Sequence, residues 1–253
     1  MFDSHAHLPL FPSQDREPVL QRACAAGVRA IMNISLDAPS LFDSLKLQAQ
    51  GVQLFHAAAT PPHGAPENDL FFDVVKENAE QGRLSAIGEV GLDYFHKNVP
   101  KERQIRVFCA YLDVARECNL PVIFHCREAF DDLFEILQKN PVRGIIHCFT
   151  GSIFDAQRAL DLGLYISISG IVTFKNSQKL RDCVSSLPIE RLCVETDAPY
   201  LAPQAYRGQT NEPAYIGETI RTISELKNIP YQDVVTTTTQ NAYTLFQKNN
   251  TAS

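Results

Sequence analysis

Apolar residues along this chain fall into two alternating kinds of segment. Short runs rich in β-branched residues recur every 20 to 35 residues: MFDSHAHL, RAIMNIS, VQLFHAAAT, LSAIGEVGLD, PVIFHC, GIIHCFT, YISIS and RLCVETDA. Between them lie longer stretches, such as DLFFDVVKENAEQG, KERQIRVFCAYLDVAREC, FDDLFEILQKN and YIGETIRTISELKN, with apolar residues three or four apart and charges in between. The first kind predicts buried strands and the second helices that cover them. Eight such repeats predict an α/β fold of parallel units closing as a (β/α)8 TIM-barrel-like domain. Gly27, Gly82 and Gly163 stand where helix C-terminal caps belong, and Pro121 precedes a strand. The irregular stretches 60–68 and 199–214 follow strands, so they are expected at the active face. The run Thr236 to Thr239 is expected on the solvated edge of the last helix.

Composition narrows the class. The chain has 253 residues, 45% hydrophobic and 21% charged, which excludes disorder and fits one domain over 1–253. No run of 18 apolar residues occurs, and the start MFDSHAHLPLF lacks the basic and apolar regions of an export signal, so no membrane partner is expected. Seven cysteines without a CxxC pair, several of them inside apolar runs, read as buried thiols of a reducing, cytoplasmic setting. A formal net charge of −6 and the absence of a basic tract argue against a broad duplex-gripping face.

The chemistry is concentrated at strand ends. His5 and His7 close the first run, Glu89 falls in the fourth, His125 closes the fifth, His147 lies in the sixth and Asp197 in the eighth. The two-residue period puts His5 and His7 on one face, and all six positions converge on the C-terminal end of a barrel. Four imidazoles and two carboxylates buried together need a cation to offset their desolvation. Imidazole and carboxylate without thiolate suits Mg, Mn, Zn and related ions alike. Two divalent ions would leave this acidic protein locally positive, able to attract phosphate. Cys126 and Cys148, adjacent to His125 and His147, are expected to turn outward to the helices.

These motifs, DSHAHL, GEVGLDYF, FHCREA, IHCFTGS, ETDAPYLAP and NEP in order across the chain, resemble the TatD family of metal-dependent hydrolases and deoxyribonucleases. The resemblance implies a barrel, a two-metal site and phosphodiester hydrolysis of DNA, in several members as a 3′-to-5′ exonuclease. It assigns His5, His7, Asp197 and a bridging Glu89 to one metal and Glu89, His125 and His147 to the other. Arg127 and Lys175 fit phosphate clamps, with surface ion pairs as the competing reading, and Arg207, Asn211 and Glu212 are expected as substrate contacts or their supports. Where the family commonly shows G-x-H-P-H, this chain has Ala59-Thr60-Pro61-Pro62-His63, so Pro61 replaces one histidine while His63 remains, to be read either as a phosphate contact or as an ordinary loop histidine.

The expected mechanism is in-line attack on phosphorus by water that the two ions activate, with Asp197 as its base or orienter. A recessed mouth with few bases favours single-stranded DNA ends over the middle of a duplex. Tyr94, Phe95, Phe149, Phe174 and Tyr200 lie near that mouth, mostly as packing residues. Two rivals stand beside this reading. One is an amidohydrolase-type ester or amide hydrolase of a small molecule or an aminoacyl-tRNA end, which often bridges its metals with a modified lysine where Glu89 stands. The other is a non-catalytic barrel that binds a partner.

Overall fold

In the computed structural model, which describes residues 1–247, strands and helices alternate along the chain. The order is β1 (Phe2–Ala6), α1 (Ser13–Ala25), β2 (Ala30–Ser35), α2 (Ala38–Ser44), β3 (Gln53–Ala58), α3 (Leu70–Glu80), β4 (Ala86–Asp93), α4 (Lys101–Glu117) and β5 (Val122–Arg127). It continues with α5 (Phe130–Lys139), β6 (Gly144–Ile146), α6 (Ile153–Asp161), β7 (Tyr165–Ile168), α7 (Gln178–Ser186), β8 (Leu192–Val194), α8 (Ile216–Lys227) and α9 (Tyr231–Phe246). The strands form one sheet in sequence order, and each of the seven neighbouring pairs is parallel. This is the eight-stranded barrel that the alternation predicts. Among the described residues no helix is long and apolar enough to cross a membrane.

Two apolar layers hold it. A large cluster fills the space between strands and helices, with Ile31, Ile87, Phe124, Ile146 and Val194 from the strands against Val75, Phe108, Leu133 and Ile220 from the helices. A smaller one fills the barrel interior with Phe2, Met32, Phe55, Ala86, Ile123, Ile145 and Cys193. Ala242, Leu245 and Phe246 of α9 close the N-terminal end of this interior, where the Phe2 ring packs against Phe55, Tyr243 and Phe246.

The seam between β1 and β8 closes differently from the other seven. The segment just past β8 pairs with β1, through Asp197 N–H to His5 O at 2.9 Å, His7 N–H to Ala198 O at 2.7 Å and a bridge between Ala6 and Ala198. Asp3 ties it from within, accepting from Thr196 N–H at 2.9 Å and Thr196 Oγ1 at 2.5 Å.

Several local readings hold and others change. Gly27, Gly82 and Gly163 follow α1, α3 and α6 with positive φ, as caps require. The structure adds α2 and α7 to the helices the periodicity marks; α2 has seven residues, too few to show a period, but a capping box between Asp37 and Ser40 starts it. The threonine run does not lie wholly in solvent: Thr238 is buried against the barrel, its hydroxyl donating to Val234 O at 2.8 Å.

Gly91 sits where β4 passes β5 with φ +149°, and a Cβ there would overlap the carbonyl oxygen of His125. Gly91→Ala is therefore expected to destabilise the protein by about 2 kcal/mol or more, by overpacking and backbone strain together. A denaturant midpoint equal to that of the unmodified protein would show that β4 and β5 can separate freely at this point.

Candidate metal centre

Two register shifts aim the central side chains inward. Phe2 and Ala86 both belong to the interior cluster, so strict alternation would send His5 and Glu89, each three residues on, outward. On β1 the pairing moves from Asp3↔Ile31 to Ala6↔Asn33, and on β4 from Gly88↔Ile123 to Val90↔Phe124. Each inserts one extra residue, which returns the following side chain to the barrel mouth. On β5 plain alternation suffices, since Ile123 faces inward, Phe124 outward and His125 inward again. His147 lies one residue beyond β6, and Asp197 three beyond β8, where a left-handed φ of +59° turns the chain.

The six side chains meet around one carboxylate. Oε2 of Glu89 lies 2.9 Å from His5 Nε2, 3.5 Å from His7 Nε2 and 3.7 Å from His147 Nε2, while its Oε1 lies 3.4 Å from His125 Nδ1. Asp197 Oδ1 lies 3.6 Å from His5 Nε2 and 3.4 Å from His7 Nε2. The ligand atoms of His5, Glu89 and His147, and likewise those of His5, His7 and Asp197, all fall within 4.8 Å of one another.

Charge and lone pairs make this a fitting home for divalent cations. Two pairs of imidazole nitrogens face each other, His5 Nε2 and His7 Nε2 at 3.2 Å and His125 Nδ1 and His147 Nε2 at 3.1 Å, and each pair can share at most one proton. Arg127 is the only Lys or Arg among the described residues that line the cavity, so the buried carboxylates have no basic side chain to balance them. All donors are nitrogen or oxygen, a set that suits ions of borderline or hard character.

Protons can also offset part of this charge. Burial opposes a charge on His7, yet hydrogen bonds to Asp197 and Glu89 outweigh it and raise the imidazole to about 10. Burial likewise opposes His125, whose bonds to Asp93 and Glu89 raise it to about 9. His5 and His147 are lowered, by burial first and a neighbouring imidazole second. Burial acts to raise Glu89, but the surrounding imidazoles hold it well below the usual carboxylate range.

Further acids stand behind these groups, and the strand-end reading passed over them. Asp93, fully buried at the end of β4, accepts from His125 Nε2 at 3.1 Å and so leaves Nδ1 facing Glu89. Asp3 locks the β1 seam, and Glu195 accepts from Cys148 N–H at 2.7 Å with His147 Nδ1 at 3.6 Å. Burial pushes Asp3 and Glu195 up to about 7 each. Their sequence signal was present, since each lies within a motif that also carries a strand-end ligand type or, for Asp93, follows Glu89 in the same run.

The remaining expected residues divide. His63 and Arg127 line a cavity of about 750 Å³ above the cluster, together with His96, Tyr200, Leu201, Ile171 and Leu36. Arg127 lies 3.6 Å over the ring of Phe95, with no carboxylate partner among the described residues. Lys175 is exposed outside this wall, and Arg207, also exposed, stacks 4.3 Å over Phe174. Asn211 is buried and spends its amide on Thr196 O at 2.8 Å and Tyr200 O at 2.6 Å, so it shapes the loop bearing Asp197 instead of facing the cavity. Glu212 pairs through both oxygens, at 2.7 Å each, with Arg22 of α1. Cys126 packs in the outer core as expected and also reaches the cavity wall. Cys148 does not: its φ of +44° breaks the alternation, and it lines the cavity with Sγ 3.3 Å from Ser169 Oγ.

Comparison with known proteins agrees with this geometry. The sequence model of the family described as TatD related DNase matches residues 2–247. A metal-dependent hydrolase of Bacillus subtilis, YabD, is 37% identical over 98% of this chain and 100% of its own length. YcfH of Escherichia coli, also a metal-dependent hydrolase, is 36% identical over 97% of this chain and 95% of its own. The crystal structure of YJJV, a TatD homologue of Escherichia coli, superposes with a TM-score of 0.88 at 31% identity, covering 97% of each chain.

Raised imidazoles fix the sign of two pH effects. In the metal-free protein His7 and His125 stabilise the fold fully below about pH 6.5, and that contribution is lost as the pH rises through about 9 and 10. Loading metal at pH 7 must displace both protons, so calorimetric titration in buffers of different ionisation enthalpy is expected to register release of about two per protein. No release would mean that both rings are already neutral. Glu89→Ala is expected to lose most bound metal in elemental analysis, and unchanged content would remove Glu89 from the centre.

Proposed function

Because the chain belongs to the TatD family of metal-dependent hydrolases, we propose that it hydrolyses phosphodiester bonds of DNA, removing nucleotides from single-stranded 3′ ends. The observation that carries this reading is Glu89, whose Oε2 faces His5, His7 and His147 while its Oε1 faces His125, with Asp197 beside His5 and His7. That arrangement suits two divalent ions, Mg, Mn or Zn, with His5, His7, Glu89 and Asp197 holding one and Glu89, His125 and His147 the other. Bound there, such ions would lower the pKa of water and neutralise charge on the reacting phosphate.

The chain's own groups divide the remaining work. Asp197, on the cavity wall and lowered below the usual carboxylate range against the pull of burial by its bond to His7, orients the attacking water and accepts its proton. Arg127, which has no carboxylate partner among the described residues, offers its guanidinium, held in place by Phe95, to a non-bridging phosphate oxygen. His63 supplies a further contact from the turn after β3. A cavity of about 750 Å³ accepts a terminal nucleotide, whereas a duplex interior would need a longer basic groove. Cysteines that are buried or half-buried in the fold suit a reducing, cytoplasmic compartment.

Time-resolved cleavage of end-labelled single-stranded DNA, with chelator and then Mg, Mn or Zn restored, tests the reading. Stepwise shortening from the 3′ end is expected, with closed circles resisting. Cleavage of a carboxylic ester but of no DNA would favour the amidohydrolase alternative instead. Asp197→Asn is expected to retain the fold and lose about 10²- to 10⁴-fold in kcat, the range of a positioned base. Full activity in that variant would take Asp197 out of the reaction.

A further inference from the structure

One imidazole in the cavity has no part in the scheme so far. His96 follows β4 in the run Asp93-Tyr94-Phe95-His96, and its side chain is 48% exposed on the cavity wall. Asp93 fixes it twice. Oδ1 accepts the backbone N–H groups of Phe95 at 3.0 Å and His96 at 2.9 Å, which sets the turn, and Oδ2 lies 2.8 Å from His96 Nδ1. The same Oδ2 also takes His125 Nε2 at 3.1 Å. One carboxylate oxygen therefore spans a ring of the metal cluster and a ring of the open cavity. With Nδ1 engaged, Nε2 is the atom His96 has left to present, and it has no partner among the described residues.

The neighbours sharpen this. The edge of Phe95 meets the His96 ring at 5.1 Å between centroids, and the same ring carries the guanidinium of Arg127. His63 stands 6.0 Å from His96 and 6.2 Å from His125. Among the described residues no carboxylate holds a ring nitrogen of His63, so it lacks the anchoring that Asp93 gives His96. An imidazole anchored by a buried carboxylate at one nitrogen and open at the other is the arrangement of a positioned acid.

We infer that His96 is a catalytic residue, the general acid that protonates the leaving oxygen. The inference rests on the phosphodiesterase reading above. Water adds to phosphorus while the bond from phosphorus to the 3′ oxygen of the remaining strand breaks. That oxygen keeps the bonding electron pair and takes the proton from His96 Nε2, giving a nucleoside 5′-monophosphate and a strand with a free 3′ hydroxyl. His96 regains a proton from solvent before the next cycle. Asp93 acts through the ring as a positioning residue and holds His125 in register at the same time.

An acid for the leaving group matters only when that group is a poor one, and this separates a chemical from a structural role. The test compares a single-stranded oligonucleotide with thymidine 5′-(p-nitrophenyl phosphate), which carries the same nucleotide but releases p-nitrophenolate without needing a proton. His96→Gln, with metal content and folding checked against the unmodified protein, is expected to lose about 100-fold in kcat on the oligonucleotide and less than about threefold on the activated ester. His96→Ala is expected to regain oligonucleotide cleavage when imidazole is added, with no gain on the ester. Equal losses on the two substrates, or no rescue confined to the oligonucleotide, would overturn the role of His96 while leaving the nuclease reading intact. An unmodified protein that cleaves the activated ester but no oligonucleotide under any metal would overturn the nuclease reading, and this inference with it.

Discussion

A single buried carboxylate is the constraint around which the barrel mouth is organised. Glu89 has both oxygens within reach of imidazoles from β1, β5 and the end of β6. A charge this deep is tolerated only if each oxygen is occupied, because desolvation otherwise costs several kcal/mol. The register shifts on β1 and β4, the absence of a side chain at Gly91 and the pairing of β1 with the Glu195–Ala198 segment all serve to bring those partners to one point. Remove the demand and two irregular strands would have no local reason to be irregular.

Behind the imidazoles runs a second set of polar groups that fixes their direction. Asp3 accepts from Thr196, Asp93 from His125 and His96, and Glu195 from the backbone of Cys148. Asn211 bonds the backbone on both sides of Asp197, and Glu212, next to it, clamps this loop to α1 through Arg22. Tyr206 and Tyr215 stack at 3.8 Å across the base of the same loop. The long loop after β8 is thus a braced support, and the residues it sends toward the cavity are Asp197, Tyr200 and Leu201.

Periodicity made the eight strands and most helices legible, because burial on both faces of a parallel strand and on one face of a helix leaves its mark on composition. The convergence of His5, His7, Glu89, His125, His147 and Asp197 was legible for the same reason, as each ends or follows an apolar run. How they converge was not. A bulge leaves no imprint on a pattern of apolar residues, and a left-handed φ at Cys148 or Asp197 cannot be read from side-chain type alone. Loop residues suffered most: Lys175, Arg207, Asn211 and Glu212 were placed near the mouth by position, but direction in a loop depends on partners such as Phe174 and Arg22 that lie far off in sequence. Asp93 and His96 were overlooked because their importance lies in one shared oxygen atom, a fact of geometry alone.

The seam between the first strand and the segment after the last has a consequence for how the protein is made. Asp3 and Thr196, which lock it, are 193 residues apart. During synthesis His5 and His7 leave the ribosome well before Asp197 and wait for it. Any ion held jointly by these three can be captured only after Asp197 has joined them, so metal loading belongs to the folded barrel and not to the growing chain.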